Sequence, residues 1–179
     1  MKKILSVILA LTMAATLLAG CGEKQGSIND AEQNTDDKVL VLRTPSALKS
    51  TDWTLTTHLV DMQVTYGNVF EGLYGIDEGA GGYYPALAED VQIRDDQLVY
   101  TIKLRDAKFQ NGDPLKASDV VFSYDRAMAN PRFNFLTNMI DSYRAVDDQI
   151  FEITLKYPYS AILHTFFSIK VTSEREVTE

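Results

Sequence analysis

The residue types that most often carry chemistry are sparse in this chain. Its single cysteine is Cys21, and its two histidines, His58 and His164, lie far apart and outside any metal-ligand spacing such as HExxH. No G-x-S-x-G nucleophile motif occurs. The adjacent aspartates at 95–96 and 147–148 precede glutamine in turn-like sequence, where neighbouring carboxylates point apart into solvent. The sequence therefore argues against an enzyme and indicates no metal and no cofactor.

Aromatic residues are better candidates for a binding role. Trp53 lies in a polar stretch, and Phe133 and Phe135 follow Pro131 in another. Aromatic side chains in loops often line binding surfaces, but packing of the loop against a core is the commoner reason for their presence. The sequence leaves both interpretations open.

The overall composition sets the class of protein. The chain has 179 residues, of which 45% are hydrophobic, and this length suits one domain or one domain plus part of another. Its net charge of −8 makes a nucleic-acid partner improbable, because phosphate binding needs a basic face.

The N-terminal residues are typical of an export signal. Two lysines precede an uncharged, mostly apolar stretch at 4–18, which is shorter than a membrane-spanning helix. The following Leu-Ala-Gly-Cys sequence, ending at Cys21, resembles a bacterial lipobox, in which the cysteine is acylated. We therefore predict a signal peptide at 1–20, lipidation of Cys21 and a location on the outer face of the cell membrane, on the periplasmic side in a Gram-negative cell. An ordinary secretory signal is the alternative.

Four stretches follow the signal before the first predicted hairpin. Residues 21–38 are small and polar, which predicts a flexible tether, and the apolar run 39–42 predicts a strand buried on both faces. From Leu55 onward, spacings of three and four predict a helix with one buried apolar stripe, followed by a Gly-rich loop at 76–82. The stripe comprises Leu55, Leu59, Met62, Tyr66, Val69, Phe70 and Leu73.

Three stretches of alternating apolar and polar residues predict strands. Residues 91–94 and 98–105 flank an Asp-Asp-Gln turn and predict an antiparallel hairpin, with Leu98, Tyr100, Ile102 and Leu104 on the buried face. A second Asp-Asp-Gln at 147–149 precedes the strand 151–155, but the apolar positions are shifted by one residue relative to the turn. We interpret this as two hairpins of one mixed sheet rather than an internal duplication.

Two helices complete the predicted elements. Turn dipeptides at 111–114 precede a helix at about 117–129, with Val121, Tyr124 and Met128 on one face, and Asn130-Pro131 ends it. Ser160 is expected to cap a second helix that runs to about Phe167. The sequence after it is polar and shows no closing element, which predicts an incomplete chain.

Several short motifs occur in order along the chain. They read NVFEGL at 68–73, PALAE at 85–89, LR at 104–105, FQNGDP at 109–114 and ASDVVFS at 117–123. Their order and spacing resemble the family 5 extracellular solute-binding proteins, the oligopeptide and dipeptide receptors of bacterial ABC importers. The resemblance extends from Val39 to about Phe167. Where the family usually places a capping threonine this chain has Lys116, and Ser118 is a candidate substitute.

The resemblance implies a fold class and a division into domains. The expected fold is mixed α/β, the N-terminal portion of a two-lobed type II periplasmic-binding-protein fold with a smaller extra domain. Residues 39–70 would begin the first lobe, 71–157 would form the smaller inserted α+β domain, and 158–179 would return to the first lobe. Since family members have several hundred residues, we expect this chain alone to bind peptide weakly or not at all.

The resemblance also implies a function and a set of contacts. The chain would belong to a lipid-anchored receptor that captures extracellular oligopeptides as an added strand and delivers them to a permease in the membrane. Its ligand-facing residues would be Thr56, Thr57, His58 and Leu59, together with an aromatic loop containing Phe133 and Phe135. A receptor for another ligand, such as a nickel complex or haem, and a structural or adhesive surface lipoprotein are the alternatives.

Overall fold

The structure is a computed structural model that describes residues 41, 43–77 and 79–178. The predicted signal peptide, Cys21 and the tether lie outside the described residues. Of the predicted strand at 39–42 the structure describes Val41 alone, and this residue is exposed and belongs to no strand.

The first element after the N-terminal loop is a short helix. Helix α1 spans Leu59–Val64 and continues into a π-helical turn at Thr65–Val69. Its buried residues are Val60, Asp61 and Thr65, so the helix buries a largely polar side. The Asp61 carboxylate accepts a hydrogen bond from the Lys49 N–H at 2.9 Å, which satisfies the buried charge.

The predicted helix from Leu55 with a buried apolar stripe is therefore wrong in its start and in its face. Leu55, Leu59, Met62 and Val69 are exposed, Tyr66 and Phe70 are half-buried, and Leu73 alone of the stripe is buried. The helix starts late because residues 52–56 are held in a turn, in which the N–H groups of Leu55 and Thr56 donate to the Asp52 carbonyl. The π-helical turn then breaks the regular spacing on which the prediction rested.

A two-stranded hairpin includes both ends of the predicted Gly-rich loop, whose centre remains a turn. Strand β1 spans Tyr74–Asp77 and pairs antiparallel with β2, Gly82–Pro85. The ring of Tyr84 lies directly over Gly75, where a Cβ would stand 2.3 Å from the Tyr84 Cζ. An aromatic ring that covers a bare glycine backbone supplies the packing that a glycine-rich strand lacks.

A four-stranded antiparallel sheet forms the centre of the described fold. Its strands are β3 (Ala88–Ile93), β4 (Val99–Leu104), β5 (Ile140–Ala145) and β6 (Ile150–Leu155), in the order β3-β4-β6-β5. The two predicted hairpins and their single sheet are confirmed, but every neighbouring pair is antiparallel, so the sheet is not mixed. The predicted buried positions of β4 and β6 share one face, since Tyr100 pairs with Ile153 and Ile102 with Phe151.

The two Asp-Asp-Gln turns differ in the aspartate that organises them. In the first turn the Asp96 carboxylate accepts the N–H of Leu98 at 3.0 Å. In the second turn the Asp147 carboxylate accepts the N–H groups of Gln149 and Ile150, each at 2.8 Å. The backbone closes from Arg94 to Val99 in the first hairpin and from Val146 to Ile150 in the second, one residue shorter. This difference in loop length produces the one-residue shift in the apolar pattern.

Helix α2 packs on the buried face of the sheet. It spans Ala117–Met128 and buries Val120, Tyr124 and Ala127. The Tyr124 ring lies 5.1 Å from the Phe151 ring, which fixes the helix against β6. The predicted extent of this helix is confirmed, and of its predicted face Tyr124 is buried but the other two residues are not. Val121 is half-buried and Met128 is exposed, because the buried stripe starts one residue earlier, at Val120.

The start of α2 is capped by its own acidic residue. The Asp119 carboxylate accepts the N–H of Lys116 at 2.9 Å and the N–H of Glu174 at 3.0 Å. The side chain of Ser118 is exposed and makes no hydrogen bond to a described residue, so it does not replace the missing threonine. The acidic half of the capping box is thus sufficient to position this helix start and to hold the C-terminal segment beside it.

A 3₁₀ turn at Pro131–Phe133 and a short helix, α3, at Asn134–Thr137 follow α2. Helix α4 spans Ile162–Ser168 and follows β6. Ala161 precedes α4 without a side-chain cap, so the predicted cap by Ser160 is wrong. Residues 169–173 are all buried, and helix α5 follows at Glu174–Thr178. The C-terminal stretch is thus part of the core rather than a polar segment without a closing element.

The core is continuous across the described fold. It joins side chains of the loop before α1, the sheet, α2 and the buried segment after α4, including Trp53, Leu73, Ile102, Tyr124, Phe166 and Val171. Within the described residues, no helix is long and apolar enough to cross a membrane.

Gly72 is the glycine whose replacement should cost most. It bridges to Lys170, and a Cβ there would stand 2.5 Å from the Phe166 carbonyl oxygen and 2.8 Å from that of Phe167. Because backbone cannot move aside cheaply, we expect Gly72→Ala to lower the free energy of unfolding by about 1–3 kcal/mol. Urea denaturation measures this change.

Gly67→Ala is the matched control, since nothing lies within 4 Å of a Cβ at that position. We expect it to leave stability unchanged or to raise it by up to about 1 kcal/mol. Equal stabilities of the two variants would contradict the close approach at Gly72.

Candidate ligand-facing surface

The loop before α1 is organised by one aspartate. The Thr54 N–H and hydroxyl donate to the Asp52 carboxylate at 2.9 and 2.8 Å. The Thr56 hydroxyl donates to the Asp52 carbonyl at 2.7 Å. These local bonds are of the kind that aspartate and threonine form in turns. They give residues 52–56 a defined shape before any distant contact is made.

The C-terminal part of α2 fastens this loop to the fold. The Arg126 guanidinium donates to the Asp52 carboxylate at 2.5 Å and to the Thr54 hydroxyl at 3.0 Å. The Asn130 side-chain amide donates to the Thr54 carbonyl at 2.9 Å. Burial alone would raise the pKa of the Asp52 carboxyl, but the hydrogen bonds from Thr54 and the charge of Arg126 together hold it below its ordinary value. Asp52 is therefore ionised throughout the neutral range.

The 3₁₀ turn after α2 completes the attachment. The Arg132 guanidinium donates to the Thr56 carbonyl at 2.5 Å. The ring of Phe133 meets the indole of Trp53 edge to face, with centroids 5.2 Å apart. The tertiary structure thus brings the two stretches that the resemblance suggested, 56–59 and 133–135, to one region of the surface.

The six predicted ligand-facing residues divide into two groups by exposure. Thr56 and Phe133 are 1% and 4% exposed, so their side chains support the surface from within. Thr57 and His58 are exposed, and so are Leu59 and Phe135 at 70% and 65%. The His58 Nε2 lies 2.9 Å from the Lys49 Nζ. Of the two interpretations of the aromatics, core packing holds for Trp53 and Phe133, whereas Phe135 is free to meet a partner.

Tyr66 contacts the loop before α1, and Lys170 lies between Tyr66 and Phe167. The sequence indicated a binding role for none of these three residues. The Tyr66 hydroxyl lies 3.5 Å from the Trp53 carbonyl. The Lys170 Nζ lies 5.3 Å from the centroid of the Tyr66 ring and 4.0 Å from that of Phe167. A lysine between Ile169 and Val171 was the signal in the sequence, since a charged residue within an apolar run is either exposed or specially placed.

Lys170 is specially placed. The residue is 2% exposed, and burial lowers the pKa of its ammonium to about 8, while the negative charge of Glu71 opposes that shift. Burial also raises the pKa of Tyr66, with the positive charge of Arg132 acting against it. Two cations therefore act on one tyrosine, whose hydroxyl reaches the loop before α1.

A cleft borders the same loop through Asp52 and Trp53. It has a volume of about 890 Å³ and is lined by residues that include Asp52, Phe70, Glu71, Arg105, Arg126 and Ser173. Two ion pairs on its wall, Arg126–Asp52 and Arg105–Glu71, are already formed. None of the six predicted residues lines it. In the described part of the chain, no cluster of three or more His, Cys, Asp or Glu side chains could hold a metal ion.

The Asp52–Arg126 pair predicts a pH dependence of stability. Because the folded-state pKa of Asp52 lies below its ordinary value of 3.8, its contribution is complete above that value and is lost as the pH falls through the folded-state pKa. We expect Asp52→Asn to lower the free energy of unfolding by about 1–2 kcal/mol at pH 7. The deficit should shrink between pH 4 and pH 2, where the wild-type carboxyl also loses its charge.

Urea denaturation at several pH values checks this, with Asp95→Asn as the control. Asp95 is an exposed aspartate of the first Asp-Asp-Gln turn and makes no hydrogen bond to a described residue. We expect its variant to follow the wild type within about 0.5 kcal/mol. A deficit of Asp52→Asn that stays constant down to pH 2 would show that the ionised carboxylate is not what stabilises the loop.

Comparison with known proteins agrees with this architecture. The curated relatives include a dipeptide-binding protein of Lactococcus lactis, 32% identical over 127 residues, which are 70% of this chain and 21% of that protein. They also include the glutathione-binding protein GsiB of Pectobacterium atrosepticum, 38% identical over 108 residues, which are 57% of this chain and 20% of that protein. The chain thus spans about a fifth of the length of these relatives.

A solved structure shows the same fold. Listeria monocytogenes OppA bound to peptide superposes with a TM-score of 0.67 at 34% identity, over 74% of this chain and 30% of that one. This likeness confirms the predicted fold class, a part of the mixed α/β type II periplasmic-binding-protein fold. The family model of the middle part of the family 5 bacterial extracellular solute-binding proteins matches residues 82–176, which is more than half of the chain. The chain therefore belongs to the bacterial extracellular solute-binding proteins of family 5.

Proposed function

We propose that this chain takes part in capturing extracellular oligopeptides for an ABC importer, as part of a lipid-anchored solute-binding protein that delivers its ligand to the permease. Family membership supports a solute-binding role. The names of the relatives support a peptide ligand, since they bind dipeptides, glutathione or longer peptides. Because these relatives are binding proteins, we propose a role in binding without catalysis.

The observation that carries the proposal is an exposed stretch of chain on a rigid support. Residues 57–59 are exposed and follow directly after the loop 52–56. Side chains of Arg126, Asn130 and Arg132 donate hydrogen bonds to that loop. The N–H and C=O of Thr57 make no hydrogen bond to any residue that the structure describes. Free main-chain groups at a fixed position are what an extended peptide needs in order to add as a strand.

The exposed aromatic beside this stretch adds apolar contact area. Phe135 lies two residues after Phe133, whose ring is fixed against Trp53. A main-chain contact combined with a broad apolar surface tolerates many side chains, which suits a receptor for peptides of varied sequence. We propose that Thr57, His58, Leu59 and Phe135 contact the ligand directly and that Thr56 and Phe133 hold them in position.

The remaining parts of the proposal concern the regions around this surface. We propose that residues 39–70 and 158–179 belong to one lobe and that 71–157 form the smaller inserted domain. The Lys170 Nζ, which lies 5.3 Å from the centroid of the Tyr66 ring, supports the proximity of the two lobe segments. We further propose that residues 1–20 direct export and that lipid on Cys21 holds the protein at the outer face of the membrane.

An NMR titration with trialanine tests the peptide-binding surface. Because the chain spans a fifth of its relatives' length, we expect weak binding, with a Kd near or above about 1 mM. The amide shifts should change at 57–59 and 133–135. Phe135→Ala should weaken binding roughly five-fold, through the loss of about 1 kcal/mol of apolar contact.

Tyr157→Ala is the control, because Tyr157 is also an exposed aromatic but lies at the end of β6. If the amide shifts change only for residues of the cleft near Arg105, the ligand site lies in that cleft instead. An absence of shifts would refute peptide capture by this surface and favour a receptor for another ligand, such as a nickel complex or haem, or an adhesive lipoprotein.

Mass spectrometry of the protein extracted from cell membranes tests the anchor. We expect cleavage before Cys21 and a mass that includes at least two acyl chains, since a single chain binds a membrane only marginally. Cys21→Ser should abolish the added mass and release the protein from the membrane fraction. A secreted protein that starts elsewhere and carries no lipid would show that the N terminus is an ordinary secretory signal.

A further inference from the structure

Lys170 differs from the other buried charged side chains of the described residues, Asp61 and Asp119. Asp61 accepts the Lys49 N–H, and Asp119 accepts the N–H groups of Lys116 and Glu174. The ammonium of Lys170, in contrast, makes no hydrogen bond and no ion pair with a described residue, although the residue is 2% exposed. Buried charges in proteins are normally paired.

The contacts that Lys170 does make compensate for only part of its burial. Its Nζ lies 4.0 Å from the Phe167 ring centroid and 5.3 Å from that of Tyr66, both within the range of a cation–π contact. The acidic residue that acts on it, Glu71, is engaged with the Arg105 guanidinium at 2.8 Å. The ammonium of Lys170 thus lies between two aromatic rings with no carboxylate bonded to it. One negative charge is missing from this site.

The position of this site links it to the proposed ligand surface. Tyr66 forms one of its walls, and the Tyr66 hydroxyl lies 3.5 Å from the Trp53 carbonyl in the loop that leads to residues 57–59. Arg132 approaches the same tyrosine and also holds the Thr56 carbonyl. The buried ammonium of Lys170 is therefore connected, through Tyr66, to the loop that leads to residues 57–59.

We propose that Lys170 is a carboxylate-binding residue and that its ammonium pairs with the terminal carboxylate of the bound peptide. The inference rests on the peptide-binding function proposed above and assigns the residue that recognises one end of the ligand. A carboxylate supplies the missing charge and accepts the ammonium protons in a charge-assisted hydrogen bond. The aromatic walls exclude water and so strengthen that pair.

Titrations with trialanine and with its C-terminal amide test the proposal, because the two probes differ only in the carboxylate. Observed by NMR on the full chain, the free acid should bind the wild type at least tenfold more tightly than the amide. In Lys170→Met, which keeps the apolar stem and removes the charge, the two affinities should agree within twofold. Lys103→Met, which removes an exposed lysine paired with Glu89, should retain the wild-type preference.

The outcomes separate this inference from the proposed function. Shifts at 57–59 with equal affinities for acid and amide would overturn the role of Lys170 and leave peptide binding intact. The same holds if the preference persists in Lys170→Met. If neither probe produces shifts in the wild type, peptide capture itself fails, and the assignment of Lys170 to a peptide carboxylate fails with it.

A second measurement identifies the source of the carboxylate. The ammonium pKa of Lys170, followed through its ¹³Cε shift, should be near 8 in the free protein and should rise when trialanine is added but not when the amide is added. The charged group that acts on Lys170 is Glu71, and the titratable side chain in contact with it is Tyr66, on which Arg132 also acts. An acidic side chain of residues 1–40 is the competing source. The full-chain variant with Glu23, Asp30, Glu32, Asp36 and Asp37 changed to amides should leave the pKa unchanged, and a fall in that variant would overturn the ligand assignment.

Discussion

The ion pair between Asp52 and Arg126 is the contact on which the described surface depends. It joins a loop near the start of the described chain to a helix 74 residues further on. Both side chains are partly buried, so each would be costly to leave without the other. Once they pair, Asn130 and Arg132 reach the carbonyls of Thr54 and Thr56, and the ring of Phe133 meets Trp53. The polar network and the aromatic contact thus hold the same loop.

Such an arrangement suits a surface that must bind without reshaping itself. The polar groups beneath residues 57–59 are satisfied by side chains from α2 and the turn after it, whereas the main chain of Thr57 is left free within the described structure. A preorganised backbone loses less conformational freedom when a ligand adds to it. Lys170 differs, because its ammonium is buried without a hydrogen bond or ion pair to a described residue.

Local patterns predicted the sheet well. The alternation in β4 and β6 identified their buried faces, and the Asp-Asp-Gln turns, with side chains that bond their own backbone, identified the hairpins and their one-residue difference. Predictions failed where a distant contact outweighed the local pattern. The apolar stripe of α1 is exposed because Asp61 and Thr65 bury the other side, and the ends of the predicted Gly-rich loop are paired in a hairpin. The face of α2 follows the sheet it meets, which spacing within the helix does not encode.

The sequence by itself determined the family, through motifs that each occupy a turn or a helix end, and it determined the positions of most strands, because alternation and turn chemistry act over a few residues. It also indicated both stretches of the candidate surface. Only the tertiary structure decided which of their side chains face solvent, and it alone placed Lys170 between Tyr66 and Phe167. The physical reason is that exposure and the pairing of charges depend on residues far away in the chain, which meet only when the core has formed.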